Sequence, residues 1–283
     1  MMGWLMATGL ELIMPNITDA STNSLSFLFK GEPACGKSLA AASFPNCYIF
    51  DFEDRIQSVK QFWVPKGRKD IDYDSYLPTD FSRFDKKLDS LIASCSYETV
   101  VFDTLTSLSD LVLRYVLEAK GQERVKNPKS ASGKFVGEIE VNTIEDYGAE
   151  SSALTSLIVA MRGIKARHKI LIAHVVRTEA KDLNGRSTVT RSLMTAGKKI
   201  AAKMPGYFDE AYHMSARPSF GGQTPQFLAH TAGTGDDFAR SSIGLDYEID
   251  FTNQSFYELV QPKIDAAIGG AKDVVISNVS QWK

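Results

Sequence analysis

Short, almost entirely apolar segments recur along the chain, and each ends in glycine or in polar side chains. Apolar runs of this length are typical of strands buried on both faces of a parallel sheet. Four precede residue 175: 25–30 (LSFLFK), 47–54 (CYIFDFED), 99–103 (TVVFD) and 169–174 (KILIAH). Segments 209–214 and 225–230, separated by the Gly-rich stretch 219–224, predict a later antiparallel pair. The pattern predicts an α/β fold: a mostly parallel twisted sheet flanked by helices, with extra C-terminal antiparallel strands.

A glycine loop follows the first predicted strand. Residues 31–38 read GEPACGKS and match the phosphate-binding pattern GxxxxGK[ST] at every fixed position. The glycines let backbone N–H groups converge on phosphate oxygens, while a helix predicted from LAAAS directs its N-terminal end at the same anion. The alternative is a loop that only turns the chain. The expected nucleotide contacts are Gly31, Glu32, Pro33, Ala34, Cys35, Gly36, Lys37, Ser38 and Leu39.

A metal site is expected beside this loop. Ser38 is the hydroxyl that ligates Mg²⁺ in this motif, and Lys37 reaches the β- and γ-phosphates of ATP. Asp103 ends the strand 99–103, so it lies at the sheet edge where open α/β sheets bind their ligands. We therefore expect Ser38 and Asp103 to hold Mg²⁺. The alternative role for Asp103 is an N-cap for the helix that follows.

The strand 47–54 supplies the candidate general base. ATP hydrolysis needs a carboxylate that polarises a water for in-line attack on the γ-phosphate. Asp51 and Glu53 share one side of an extended strand, and Glu53 is nearer the expected nucleotide. Glu53 is the preferred base; Asp51 and simple solvated charges are the alternatives.

The strand 169–174 ends in His174. At this edge a polar side chain would contact the γ-phosphate and could report nucleotide state to the segment that follows. A purely structural histidine is the alternative.

Basic residues are concentrated in two segments. The first, about 118–148, contains the Gly/Ser/Pro stretch NPKSASGK. The second, residues 177–203, lies within a wider window, 162–203, that carries eleven Lys and Arg against two acids, although the whole chain has a net charge of −2. The sequence of this second segment predicts a hairpin with its turn at Asn184-Gly185. A basic loop that follows the strand ending in His174 suits salt-dependent, sequence-independent binding of single-stranded DNA. The candidate DNA-binding residues are Arg177, Lys181, Arg186, Arg191, Lys198 and Lys199.

This segment contains no Phe, Tyr or Trp between His174 and Tyr207, which favours contacts to the DNA backbone over base stacking. A protein-docking surface and a nucleotide lid are the alternatives.

The order of these motifs resembles the RecA-type recombinase core. The matching segments are GEPACGKS, CYIFDFED, TVVFDTLTSL and KILIAHVVRTE; the strand between the loop strand and the Asp strand is typical of the RecA/AAA-like division rather than of kinases and small GTPases. The segments KMPGYFDE and FARSSIGL make the chain most similar to phage RecA-like ATPases linked to single-strand annealing. The resemblance implies a RecA-like P-loop NTPase fold over residues 25–245. Bacterial RecA has Gln where this chain has His174, and its long N- and C-terminal domains have no counterpart here.

ATPases of this division commonly complete their site with a cation from a neighbouring subunit. Arg240 is the preferred candidate and Arg217 the second; surface arginines without a catalytic role are the alternative. We accordingly expect a homo-oligomer, either a ring or a filament. Residues 1–24 are expected to form an N-terminal arm and residues 246–283 a C-terminal tail that binds a subunit or partner.

Composition excludes some classes of protein and leaves the expected ATPase function unchanged. The three cysteines form no CxxC pair, the first basic residue is Lys30, and no apolar run is long enough for a membrane span. We therefore expect a cytoplasmic protein with no membrane partner, and the resemblance implies that the cell is a phage-infected bacterial host. The sequence favours an ATP-dependent recombination or annealing ATPase that binds single-stranded DNA, with a single-strand-binding or replication protein as a further candidate partner. The alternatives are a ring helicase or helicase loader, and a nucleotide-gated protein-assembly switch.

Overall fold

The computed structural model describes residues 24–120, 143–181, 187–196, 198–218, 225–234 and 237–269. The strands of this part of the chain are β1 Leu25–Gly31, β2 Cys47–Asp51, β3 Ile71–Ser75, β4 Thr99–Asp103, β5 His168–Lys181, β6 Ser187–Leu193, β7 Glu210–Arg217, β8 Gln226–His230 and β9 Glu248–Asp250. The helices are α1 Lys37–Ala41, α2 Gln57–Trp63, α3 Phe81–Ala93, α4 Leu105–Ala119, α5 Ile144–Gly163, α6 Lys198–Lys203 and α7 Phe256–Gly269. None of these helices combines the length and the apolar composition needed to cross a bilayer.

The strands form one mixed sheet in the order β3-β2-β4-β5-β1-β7-β8-β9, with β6 paired to the outer part of β5. Strands β3, β2, β4, β5, β1 and β7 are parallel to their neighbours, and β8 and β9 continue the sheet antiparallel. The predicted fold class is therefore confirmed. Every residue of β1 is buried, as expected for the centre of such a sheet.

Helices cover both faces of the sheet. On one face, apolar side chains of α3, α4, α5 and α6 pack against residues such as Phe50 and Leu171. On the other face, α1, α2 and α7 pack against residues such as Phe29 and Ile172. The sheet is thus the middle layer of three.

The strand that separates β1 from β4 within the sheet is β5. Strand β2, which lies between them along the chain, is on the far side of β4. The register sets Gly31 opposite His174 and Asp51 opposite Asp103, so the ends of β1, β2 and β4 meet the middle of β5 at one edge. This edge is where the candidate residues converge.

The packing of the sheet continues beyond residue 245, where the sequence predicts the boundary between core and tail. Strand β9 pairs with β8, and Phe251, Phe256, Val260 and Ile264 are buried in the same apolar cluster as α1. The fold therefore continues through Gly269, because these side chains cover one face of the sheet. The predicted arm, residues 1–24, lies outside the described residues except for Ser24.

Strands β1, β7 and β8 lie where the sequence predicts them, whereas two other predicted strands differ in length. The run 47–54 is a strand only as far as Asp51, and the run 169–174 belongs to a strand that continues to Lys181. Strands β5 and β6 pair antiparallel, as the hairpin prediction requires, and the turn at Asn184-Gly185 lies outside the described residues.

Candidate functional site

The loop after β1 needs its two glycines. A Cβ atom at Gly31 would lie 2.2 Å from the carbonyl oxygen of Met214, and one at Gly36 would lie 3.0 Å from a ring carbon of Phe227. Gly36 also has a φ of 83°, and Ala34 a φ of 61°. Left-handed residues at these positions curl the loop and turn its N–H groups inward, which is the conformation that binds anions.

Lys37 lies inside this curl. Its Nζ donates hydrogen bonds to the carbonyl oxygens of Gly31, at 3.0 Å, and Glu32, at 2.6 Å. Burial raises the pKa of the nearby Cys35 thiol, with Lys37 opposing the shift, so Cys35 is a neutral side chain of the loop. The ammonium of Lys37 is therefore the positive charge of the loop interior.

Ser38 and Asp103 are in direct contact, as the metal-site prediction requires. Ser38 Oγ donates to Asp103 Oδ2 at 2.6 Å, and the peptide after Asp103 is cis. Burial raises the pKa of Asp103 to about 6; the hydrogen bond from Ser38 opposes this shift, and the Glu53 and Asp51 carboxylates add to it. A hydroxyl and a carboxylate are hard oxygen donors, and with nucleotide phosphates they fit the octahedral preference of Mg²⁺.

Glu53 lies across the pocket from this pair. Its Oε1 accepts hydrogen bonds from Thr104 Oγ1 at 2.8 Å and, in the tautomer that carries its proton on Nε2, from His174 at 3.0 Å. The hydrogen bond from His174 lowers the pKa of Glu53 to about 2, against the effect of burial, and Thr104 contributes in the same direction. Glu53 is thus a carboxylate held by one oxygen, while Oε2 lies 3.8 Å from the Arg55 guanidinium.

Asp51 has a different task from the one considered for it in the sequence. Its carboxylate accepts hydrogen bonds from the backbone N–H groups of Glu53, Arg55 and Ile56 and from Ser75 Oγ. The strand ends at Asp51 because the chain turns around this carboxylate. Asp51 therefore shapes the turn that presents Glu53, and its oxygens are already occupied.

These residues line one pocket of about 230 Å³. It brings together Lys37, Ser38, Glu53, Asp103 and His174, which the sequence had singled out from four separate segments. Sequence reasoning missed the lining residues Arg55, Ser58 and Phe227. Arg55 follows Glu53 by two positions, which is a weak signal. Phe227 comes from β8, and no local pattern could have found it.

A second cavity of about 720 Å³ adjoins this pocket. The two share Leu39 and Phe227, and the second runs between α1, α2 and the segment 251–258. The Phe227 ring stacks on that of Phe251, with centroids 5.9 Å apart, and forms the partition between them. We refer to this second cavity as the α1 cavity.

The fold and the phosphate-binding loop agree with a comparison of the chain with protein families. A family model described as an AAA domain matches residues 23–242. The chain belongs to this AAA domain family. The matched region contains the loop of the AAA domain, the Ser38–Asp103 pair and the Glu53–His174 contact.

Solved structures similar to this AAA domain are distant in sequence. The flagellar accessory protein FlaH from Methanocaldococcus jannaschii is 11% identical over 80% of this chain and 84% of that one, with a TM-score of 0.36. A KaiC-like protein from Pyrococcus horikoshii OT3 is 11% identical over 73% of this chain and 77% of that one, also with a TM-score of 0.36. No curated protein matches the chain.

The arginines expected to act on a neighbouring subunit lie outside the pocket of this AAA domain. The backbone of Arg240 pairs with Ala211, in the first half of β7, and its guanidinium donates to the carbonyl oxygen of Phe208. Arg217 ends β7 and forms an ion pair with Glu248 at 2.7 Å. Neither lines the nucleotide pocket of its own chain.

The basic residues expected to contact DNA are split between two elements. Arg177 and Arg191 are cross-strand partners in the β5–β6 hairpin, and Lys181 ends β5. Lys198 and Lys199 are the first two residues of α6, while Arg186 lies outside the described residues. The hairpin begins directly after His174, so the pocket of the AAA domain and the basic segment are continuous in the chain.

Proposed function

We propose that this AAA domain is an ATP- and Mg²⁺-dependent ATPase of the phage RecA-like type that binds single-stranded DNA in recombination or annealing, in the cytoplasm of the host cell. The observation that carries the proposal is the contact from His174 Nε2 to Glu53 Oε1, at 3.0 Å, immediately before the basic hairpin. His174 thus contacts the candidate catalytic base, Glu53, and the residues that follow His174 along the chain include the candidate DNA contacts.

The side chains divide the hydrolysis reaction among them. Lys37 and the loop N–H groups neutralise the phosphates, and Ser38 and Asp103 would hold Mg²⁺, which supplies charge stabilisation on the transferring phosphoryl group. Because Oε1 of Glu53 already accepts two hydrogen bonds, Oε2 is the oxygen that orients the attacking water.

The α1 cavity suits the nucleobase. It meets the phosphate pocket at Leu39, next to Ser38, and its apolar walls include Phe227 and Trp63. Apolar walls with a few amide side chains, here Asn253 and Gln254, are common in small-molecule sites. With the phosphates at the loop, the base would extend into this space.

A neighbouring copy would complete the site, with Arg240 or Arg217 as its cation, in a ring or a filament. Both arginines are exposed on the described surface, and neither reaches its own pocket. A cation supplied across a subunit contact raises phosphoryl-transfer rates by about 1,000-fold or more in other ATPases and GTPases.

The test is ATP hydrolysis with and without single-stranded DNA across a salt titration, with Lys37→Ala as the blank. We expect DNA to stimulate hydrolysis and the stimulation to decline as salt rises, because phosphate contacts weaken with salt. If no nucleic acid changes the rate of an assembled sample, the DNA part of the proposal is wrong. If the wild-type rate equals that of Lys37→Ala, the ATPase part is wrong.

A further inference from the structure

A further concave surface, separate from the nucleotide pocket and the α1 cavity, lies beside the basic hairpin. It is a cleft of about 570 Å³ between the β5–β6 hairpin, α6 and Phe238, and it shares no lining residue with the nucleotide pocket. Clefts of about 300–1,000 Å³ are the usual size of small-molecule sites. We call it the hairpin cleft.

The walls of the hairpin cleft combine polar residues with large apolar side chains that are open to solvent. Phe238 is 45% exposed, Val176 44% and Met194 50%, and Pro205 lies beside them. Large apolar side chains grouped in an open cleft mark a binding surface more often than single exposed ones do. Phe238 offers the only aromatic ring among the described lining residues.

The backbone around Phe238 is held on both sides. Asp237 forms an ion pair with Lys30 and lies 2.6 Å from His213 Nδ1, and its side chain is 5% exposed. On the other side, the N–H of Arg240 donates to the carbonyl oxygen of Ala211 at 2.8 Å. The exposed ring is therefore presented by a fixed segment, so the protein loses little conformational entropy when a ligand stacks on it.

The surroundings of the hairpin cleft favour an anionic ligand. Arg191 borders the cleft, Arg177 is its cross-strand partner, and Lys203 lies between the lining residues Ala202 and Pro205 along the chain. Among the described residues, the nearby acids are the exposed Glu179 on the hairpin and Asp237, which contacts Lys30 and His213. Within this described set, positive charge thus exceeds negative charge beside the Phe238 ring.

We propose that the hairpin cleft is a base-stacking subsite for single-stranded DNA: an unstacked base lies on the Phe238 ring while Arg177 and Arg191 contact the adjacent phosphates. This rests on the proposed function, since it assumes that the hairpin binds single-stranded DNA. It differs from the sequence-based expectation of backbone contacts alone, because the fold brings an aromatic residue to the hairpin from 45 positions beyond Leu193.

The test compares two oligonucleotides of equal length by fluorescence anisotropy: oligothymidylate, and an oligomer in which abasic residues replace the central thymidines. Stacking on one aromatic side chain changes affinity by about 5- to 100-fold. We expect wild type to bind oligothymidylate more tightly by this factor, and Phe238→Ala to lose the preference while keeping its affinity for the abasic oligomer. Phe238→Tyr should restore it.

Tyr73→Ala is the matched control, because Tyr73 is an aromatic residue of similar exposure, 46%, on the edge strand β3. It should retain the preference. If wild type binds both oligomers equally, or if Phe238→Ala keeps the preference, stacking on Phe238 is wrong although DNA binding stands. If neither oligomer binds, the proposed function itself fails.

Light scattering examines the competing occupant, a second copy of the chain. We expect Phe238→Ala to have the same molar mass as wild type. A loss of assembly in this variant, with the preference for bases lost as well, would overturn the proposal and assign the cleft to a subunit contact.

Discussion

At the scale of single residues, the hydrogen bonds of Glu53 define its role. A Gln side chain is nearly the same shape and still accepts bonds from Thr104 and His174 at Oε1, but the amide cannot take a proton from water. We expect Glu53→Gln to lower the rate of ATP hydrolysis by about 100- to 10,000-fold with nucleotide affinity nearly unchanged. Phosphate release and the binding of a fluorescent ATP analogue measure the two quantities.

The neighbouring exposed carboxylate provides the control for this variant. Asp54→Asn removes the same charge one position away, and Asp54 makes no contact with His174 in the described structure. It should hydrolyse ATP within a few-fold of wild type. A Glu53→Gln protein with a near-normal rate would show that another group activates the water. DNA annealing that persists without hydrolysis would favour the nucleotide-gated switch over the motor.

His168 is a buried histidine with an energetic cost. Neither ring nitrogen has a hydrogen-bond partner among the described residues, and the ring packs against Phe44, Phe27 and Tyr257. Burial, reinforced by the charges of Arg167 and Lys169, lowers the pKa of His168 to about 3. Below the ordinary histidine pKa, near 6.5, the unfolded chain takes up a proton that the folded chain cannot.

His168 should therefore make the protein less stable as the pH falls from about 6.5 towards 3, with a limiting slope of about 1.4 kcal/mol per pH unit. We expect His168→Leu to be at least as stable as wild type at neutral pH and to lose less stability on acidification. Urea unfolding at several pH values measures this. Parallel pH profiles for the two proteins would contradict it.

The residues of the nucleotide site differ in how far the sequence could predict them. Lys37, Ser38 and Asp103 follow from motif spacing and strand ends, because backbone geometry links those patterns to one place. Phe227 and Phe238 could not be predicted, since their positions depend on where distant strands pair. The assignment of Asp51 needed the observed turn, because sequence alone cannot tell a capping carboxylate from a reactive one.

At the scale of elements, the positive charge of the β5–β6 hairpin should determine how DNA affinity depends on salt concentration. Arg177 is exposed on it, and each phosphate contact to a single strand contributes about 0.7 to the slope of log affinity against log salt. We expect Arg177→Ala to weaken binding to oligothymidylate and to its abasic counterpart alike, and to reduce the slope by about this amount. Anisotropy titrations at several salt concentrations give both values.

Lys60→Ala is the control for charge removal, since Lys60 is an exposed cation on α2, on the opposite face of the sheet from α6. It should leave both affinity and slope unchanged. An Arg177→Ala protein with the wild-type slope would place the DNA elsewhere on the molecule.

Elements were predictable where burial is two-sided. The apolar runs of β1 and β4 identify central strands directly. Strand β3 was missed because its sequence IDYDS alternates apolar and acidic residues, so this edge strand lacks the continuous apolar run of a strand buried on both faces. The end of β2 was overestimated, since FDFED continues the strand pattern while Asp51 turns the chain.

At the scale of the whole molecule, the edge of the sheet that holds the site depends on the layer formed by α1, α2 and α7. The Phe227–Phe251 stack that contacts Gly36 is supported from below by Phe256, whose ring centroid lies 5.4 Å from that of Phe251. The sequence after residue 245 therefore contributes to the shape of the nucleotide loop, which is why a resemblance limited to the motifs could not set the boundary of the fold.

This dependence predicts the result of truncation. A chain ending at Leu245 lacks Phe251, Phe256, Val260 and Ile264, all buried, and burial of such a side chain stabilises a protein by about 1.5–3 kcal/mol. Their combined loss is comparable to the total stability of a typical domain, about 5–15 kcal/mol. We expect this chain to be insoluble or to show no cooperative thermal transition by circular dichroism, whereas a chain ending at Gly269 keeps every described element and unfolds cooperatively. A cooperative transition in the shorter chain at the temperature of the longer one would mean that β9 and α7 are dispensable, and the core would then end near residue 245 after all.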